Sequence, residues 1–456
     1  MIDFKKFIHY SRPGPRYTSY PTALEFSETF TYDDYLQAIK ASNNSGRPLS
    51  LYVHLPYCRS ACYFCGCNVV YTSKEEKKER YIAYLEKELA ILASSLDTTR
   101  PVQQLHFGGG TPTFFGADQL SRIITMIKGH FPHFTPEAEL SCEVDPRYFN
   151  EDQAKVLTAN GFNRLSFGVQ DFEPKVQEAV HRVQSFEMTQ NVMRLARKYG
   201  VNSINIDLIY GLPYQTLESF QKTLEMTLSL DPDRLAVFNY AHVPWMKKTM
   251  RKIDETTLPV PETKLAIMQY TTRFFTSHGY RMIGMDHFAK PGDELFRAID
   301  KGELHRNFQG YTTKGGADLF GIGITSIGEG EAHYAQNYKE IDDYEKAIDS
   351  GRLPLMRGVS LNEDDRIRKA VIMQLMSNFS LRFATVEEAF GIDFHGYFKE
   401  DLDKLKPMEA DALLEIHGDG ITISETGKLL VRNIAMAFDA YMKKHEGNKK
   451  SFSKTV

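Results

Sequence analysis

Several classes of function are excluded by what this chain lacks. No uninterrupted apolar stretch is long enough to cross a bilayer, and Met1-Ile2-Asp3-Phe4-Lys5-Lys6 has no signal-peptide pattern. Basic side chains number 55 against 59 acidic ones, so the basic excess expected of a nucleic-acid binder is missing. Cysteine is scarce, and its odd count of five suits a reducing cytosol better than a disulfide framework. The dinucleotide pattern G-x-G-x-x-G is absent. The expectation is a soluble cytoplasmic protein that binds neither nucleic acid nor membrane. No heptad or long apolar face demands a partner, so a monomer is expected, and 456 residues allow two or three domains.

The few cysteines are unevenly placed. Cys58, Cys62, Cys65 and Cys67 fall within ten residues, directly after the apolar run 51–55. Three thiols at C-x3-C-x2-C spacing can hold three corners of a four-iron, four-sulfur cube and leave one iron open. A cluster that only carries electrons normally has four cysteine ligands. The vacant corner therefore points to ligation and reduction of a small molecule. A structural zinc site would want two separated ligand pairs, and no second pair follows. Cys142 lies in an apolar run and reads as a small buried hydrophobe.

Downstream, strands and helices alternate. A charged amphipathic helix is expected over 74–96 and another over 117–128. Strands are expected at 102–107, 138–144, 164–169, 203–210, 234–240 and 280–285. This rhythm predicts an α/β fold with a parallel sheet curled into a partial barrel, with an open doubly wound sheet as the alternative. Polar residues and glycines fall at the strand ends, where such barrels keep their chemistry: the cysteine loop, 108–111, Glu143, Gln170, Asp207 and 240–242. The expected divisions are a Pro-rich arm or lid at 1–45, the barrel at 46–360, a small, mostly helical domain at 361–446 and a flexible tail at 447–456.

Gly108-Gly109-Gly110 would let backbone amides approach a ligand closely, though glycine runs also make plain turns. Glu143 and Asp207 are carboxylates within apolar strands and need a partner, either an internal ion pair or a ligand. With Arg182, otherwise a solvated arginine, they suit a ligand of amino-acid type. Glu143 would face the ammonium and Arg182 the carboxylate.

Together these features resemble the radical S-adenosylmethionine enzymes, whose pattern is met by Cys58, Cys62 and Cys65 with Phe64 before the last cysteine. The resemblance extends to the oxygen-independent coproporphyrinogen III oxidase family. It rests on Cys67, the arm sequence 16–22, Gly-Gly-Gly-Thr-Pro-Thr at 108–113, and the segments 238–242, 305–313 and 430–434. It covers essentially the whole chain and implies a partial (β/α)6 TIM-like radical-SAM barrel. It further implies a [4Fe-4S] cluster on Cys58, Cys62 and Cys65, with Cys67 not a ligand, and two S-adenosylmethionine molecules. Matching binding positions are Tyr52, Phe64, Gly109, Gly110, Thr111, Glu143, Gln170, Arg182, Asp207, Ala241 and Ile327, with Gln309 near the second molecule. Reduction of the sulfonium would release a 5′-deoxyadenosyl radical, and two propionates of coproporphyrinogen III would become the vinyls of protoporphyrinogen IX. An electron donor and an electron acceptor are required; the sequence names neither. Arg12, Arg16, His54, His242 and His287 are candidate partners for the substrate carboxylates. The rival readings are a heme chaperone on a related fold and an iron–sulfur electron carrier.

Overall fold

A computed structural model describes residues 9–445 and Phe452. The tail expected at 447–456 lies, apart from Phe452, outside the described residues. After helix α1 (Tyr32–Ser45), strand β1 (Leu49–Leu55) opens a run of strand–helix units. These are α2 (Glu75–Ser95), β2 (Val102–Gly109), α3 (Ala117–His130), β3 (Phe134–Val144), α4 (Glu151–Ala159) and β4 (Arg164–Gln170). Next come α5 (Phe186–Lys198), β5 (Ser203–Tyr210), α6 (Leu217–Ser229), β6 (Arg234–Asn239) and α7 (Pro261–Ser277).

Strands β1 to β6 pair in chain order, all parallel. The expected six-unit partial barrel is present. The sequence explains its two surfaces. Along β5, Ile204, Ile206, Leu208 and Tyr210 are buried, while Asn205, Asp207 and Ile209 alternate with them. Period-two alternation sends the first set to the helical layer and the second into the barrel. Strand β1 is buried at nearly every position, as expected for a central strand covered on both faces.

Two elaborations extend the sheet to twelve strands and leave it open. Beyond β6, the region expected as one strand at 280–285 is an antiparallel pair, β7 (Arg281–Ile283) and β8 (His287–Ala289). The chain reverses through Gly284, whose φ of +68° favours glycine. Beyond β1, strand β9 (Asp318–Ile322) adds a further parallel neighbour. It is followed by antiparallel β10 (Ile327–Glu329), β11 (His333–Asn337) and β12 (Leu355–Ser360).

Helix α8 (Glu363–Asn378) begins the C-terminal region, its start fixed by a capping box between Asn362 and Asp365. Short helices follow, with a three-stranded sheet (Ser380–Arg382, Leu414–Ile416, Gly420–Ile423). The N-terminal arm is stitched into this region. Tyr10, Tyr17 and Tyr20 are buried in the same apolar cluster as Val371, Leu375 and Phe438. Tyr17 donates to Asp439 at 2.8 Å and Asn433 donates to the Tyr10 carbonyl at 2.7 Å. No helix among the described residues is long and apolar enough to cross a membrane.

Candidate active site

The C-terminal ends of β1 to β6 surround a cavity of about 420 Å³. One wall is the cysteine loop. Its entry is fixed by parallel pairing of Tyr57–Cys58 with Val70–Tyr71, and its turn by Cys65 N–H donating to Cys62 C=O at 3.2 Å. Tyr63 N–H reaches the Val180 carbonyl at 2.9 Å, and the Tyr63 ring stacks on His181 with centroids 5.0 Å apart.

Cys58, Cys62, Cys65 and Cys67 all line the cavity. Their soft sulfur donors, gathered on one wall, suit an iron–sulfur cluster. Burial pushes the Cys58 thiol up to about 12, with the Thr111 hydroxyl 3.2 Å from its sulfur. The free thiol therefore keeps its proton until a metal replaces it. A hydrogen bond with Cys67 lowers the Cys65 pKa, which gives Cys67 a definite contact beside the expected ligands.

Two arginines flank Cys62. Arg182 Nη1 is 3.6 Å and Arg147 Nη2 3.8 Å from its sulfur. Both are anchored by Asp145, at 3.0 and 2.7 Å. Burial alone would raise the Asp145 carboxyl, but the two guanidinium groups hold it below its ordinary value. Arg182 also donates to the Gly168 carbonyl at 2.6 Å. The arginine that sequence assigns to a ligand carboxylate thus already has a carboxylate partner. Sequence reasoning misses Asp145 and Arg147 as site residues; the signal available is a charged pair just beyond the end of β3.

The opposite wall is backbone and carboxylate. Gly109 has a φ of +113°, and a Cβ there would lie 2.6 Å from the His54 ring; at Gly110 it would lie 2.5 Å from the Pro56 carbonyl oxygen. The two glycines let the β2 end pass closely over β1. Gly109 N–H donates to Glu143 at 3.1 Å, and His106 Nε2 is 3.7 Å from the same carboxylate. Desolvation opposes the charge of Glu143, but His106 and this amide outweigh it and lower the pKa. Asp207 behaves oppositely. Burial raises it to about 6, despite hydrogen bonds from Ser166 at 3.0 Å and Asn205 at 2.8 Å. Glu143 is thus held charged, whereas Asp207 takes up a proton as pH falls toward 6, well above the ordinary carboxylate range.

The cavity brings together Phe64, Gly109, Gly110, Thr111, Glu143, Gln170, Arg182, Asp207 and Ala241 with the cysteines. Tyr52 is not in the lining. It packs alongside, 5.8 Å from the His106 ring, with its hydroxyl 3.0 Å from His54 Nδ1. Gln309 and Ile327 also lie outside. Ile327 packs against the cluster of Phe26, Tyr334 and Leu361, and Gln309 carries buried amide atoms without partners in the turn of a hairpin. Of the candidate cations, His54 is excluded as a charge at neutral pH, because burial pulls its pKa down to about 4. Arg16 pairs with Asp286, His287 bonds Asp286 at 2.7 Å, and His242 is 3.1 Å from Glu255. Arg12 has no place in the cavity lining.

Comparison with known proteins matches this arrangement. The Radical SAM superfamily model covers residues 52–227, and the HemN C-terminal domain model covers residues 361–430. A Helicobacter pylori protein named oxygen-independent coproporphyrinogen III oxidase is 58% identical over 457 aligned positions, spanning 100% of this chain and 99% of its own. This chain belongs to the oxygen-independent coproporphyrinogen III oxidase family. The Escherichia coli family member is 47% identical, with 98% and 97% coverage. A solved structure described as coproporphyrinogen III oxidase (HemN) from Escherichia coli, a radical SAM enzyme, superposes with a TM-score of 0.92 at 48% identity. That match covers 96% of this chain and 99% of the other. Membership in this family implies a [4Fe-4S] cluster and S-adenosylmethionine, and the donors described above fit both.

Proposed function

We propose that this protein converts two propionate side chains of coproporphyrinogen III to vinyl groups without oxygen, yielding protoporphyrinogen IX. The observation that carries this reading is the shared cavity: three thiols face Gly109, Gly110, Glu143 and Asp207 at the ends of parallel strands, in a chain with full-length family relatives. When bound, the cluster and S-adenosylmethionine supply a hydrogen-abstracting 5′-deoxyadenosyl radical.

The residues present serve binding and protection. Cys58, Cys62 and Cys65 hold the cluster, while Arg147 and Arg182 offset its negative charge and remain fixed by Asp145. Glu143 is the charged partner for the ammonium of the methionyl group, and the close-lying Gly109 and Gly110 give access to backbone polar groups. The protein positions one C–H bond against the radical and keeps water away. In each half of the reaction a propionate loses a hydrogen atom and carbon dioxide, and the remaining electron passes to an acceptor. A separate donor reduces the cluster.

Gln309 is assigned to a second S-adenosylmethionine, and Ile327, like Tyr52, is kept in the binding set although it lies outside the lining of the first cavity. A monomer in the cytoplasm is the working unit, in keeping with five free thiols. The test is anaerobic incubation of reconstituted protein with dithionite, S-adenosylmethionine and coproporphyrinogen III, followed by mass spectrometry. The expected result is 5′-deoxyadenosine with a product lighter by two decarboxylations. Deoxyadenosine without decarboxylation would overturn the substrate, and absence of both from cluster-loaded protein would favour a carrier or heme chaperone.

A further inference from the structure

A second cavity, of about 430 Å³, opens between α8 and the hairpin formed by His305–Asn307 and Gly310–Thr312. It nearly matches the first in size and is separate from the cysteine wall. Leu304, Met373, Leu381 and Phe390 give it an apolar side. Two buried polar side chains in its lining have unpaired donors. Arg306 is 7% exposed, with Nε and Nη1 buried and without hydrogen-bond partners; Ser377 is 1% exposed, with its hydroxyl likewise unpaired. Lys369 in the same wall is already matched by Glu329 at 2.7 Å. Buried N–H donors that lack acceptors are unfavourable in the free protein.

Arg306 also belongs to a cationic group leading back to the first cavity. Its guanidinium lies 4.6 Å from the Tyr311 ring centroid, and His287 meets the same ring edge-on at 5.0 Å. Arg16, paired with Asp286, is 5.5 Å over the ring of Phe238, which lines the first cavity. Arg432, donating to the Pro15 carbonyl at 2.9 Å, completes the group. Burial alone would raise the Asp286 carboxyl, yet Arg16, His287 and Arg306 hold it far below its ordinary value. A single carboxylate therefore faces three arginines. The group has room for further negative charge.

The first cavity, at about 420 Å³, is of drug-molecule size and is needed for the cluster and S-adenosylmethionine. A tetrapyrrole with four carboxylates needs additional space and additional cations. We propose that Arg306 and Ser377 receive a carboxylate of the tetrapyrrole substrate remote from the propionate that reacts. This assignment rests on the function proposed above. It gives the apolar wall of the second cavity to the macrocycle edge and the unpaired donors to the carboxylate.

The test compares steady-state kinetics of holoenzyme carrying Arg306→Met or Ser377→Ala with those of the unaltered protein. Loss of a charge-assisted contact should raise KM for coproporphyrinogen III about thirtyfold for Arg306→Met, and loss of a neutral one about threefold for Ser377→Ala, with kcat nearly unchanged. Tm is measured alongside, because Arg306→Met also removes the charge that faces Asp286 and the Tyr311 ring. An unchanged KM overturns the assignment, whatever happens to kcat or Tm. If KM rises and Tm falls together, Arg306→Lys decides: recovery of most of the KM supports the contact and no recovery overturns it. If Arg306→Met does not fold, hydrogen exchange of the unaltered protein with coproporphyrin III replaces it. Added protection at 303–313 and in α8 supports the proposal, and its absence there overturns it. Turnover by the unaltered protein is measured first, so failure of the proposed function is distinguished from failure of this carboxylate site.

Discussion

Replacing Asp145 with asparagine tests the electrostatic support behind Cys62. Asp145 is 4% exposed and holds Arg147 at 2.7 Å and Arg182 at 3.0 Å. The amide keeps the shape but leaves two nearly buried guanidinium groups without their anion. Removing one partner of a buried pair costs about 3–5 kcal/mol. For a cooperatively unfolding chain of 456 residues, an unfolding entropy of about 1 kcal/mol/K turns this into a fall in Tm of about 3–5 °C. The assay is anaerobic calorimetry of the metal-free protein at pH 7, repeated after cluster loading. Loading should reduce the loss, because the cluster's negative charge takes over part of the work of Asp145. The pH dependence has a definite sign. Asp145 has a folded pKa below its unfolded value of about 3.9, so its contribution is present above that pH and is lost as pH falls through the folded value. The difference between the Asp145→Asn variant and the original should therefore narrow below about pH 4. A Tm within 1 °C of the original at pH 7, roughly a third of the smallest loss expected, would refute the reasoning.

Other consequences follow from the same geometry. Alanine at Cys58, Cys62 or Cys65 should abolish stoichiometric iron loading, whereas Cys67→Ala should retain iron by absorbance and elemental analysis. At Gly110, an added Cβ would sit 2.5 Å from a backbone carbonyl oxygen, which cannot swing aside as a side-chain tip can. Gly110→Ala should therefore weaken S-adenosylmethionine binding at least about tenfold in anaerobic calorimetric titration; unchanged affinity counts against close passage of this loop. His54, 4% exposed, has its pKa lowered by burial from about 6.5 to about 4. Its contribution to stability is complete above pH 6.5 and is lost as pH falls toward 4, by about 3 kcal/mol in all. His54→Gln should flatten the stability profile across that window, as measured by urea unfolding at successive pH values, and an unaltered slope would assign the acid sensitivity elsewhere.

The features readable in sequence are those encoded by neighbours in the chain. The alternation of Ile204, Asn205, Ile206 and Asp207 predicts which side chains enter the barrel, since a strand repeats every two residues. The cysteine loop, the glycines after β2 and Glu143 at the end of β3 are legible in the same way. The hairpin of β7 and β8 reads as one strand in sequence because its two apolar runs are separated by only a short turn.

By itself, the sequence determined the strand–helix rhythm, the C-x3-C-x2-C spacing and the exclusion of a long membrane-spanning stretch. Those properties reside in local periodicity and spacing. Only the tertiary structure decided that Asp145 anchors Arg182 from 37 positions away, that His54 is a neutral buried ring, and that the arm is sealed by Arg432 and Asn433 more than 400 residues downstream. It alone brought Arg306 and Ser377 to one cavity. The physical reason is that desolvation and charge pairing depend on three-dimensional surroundings, which the order of residues does not display along the chain.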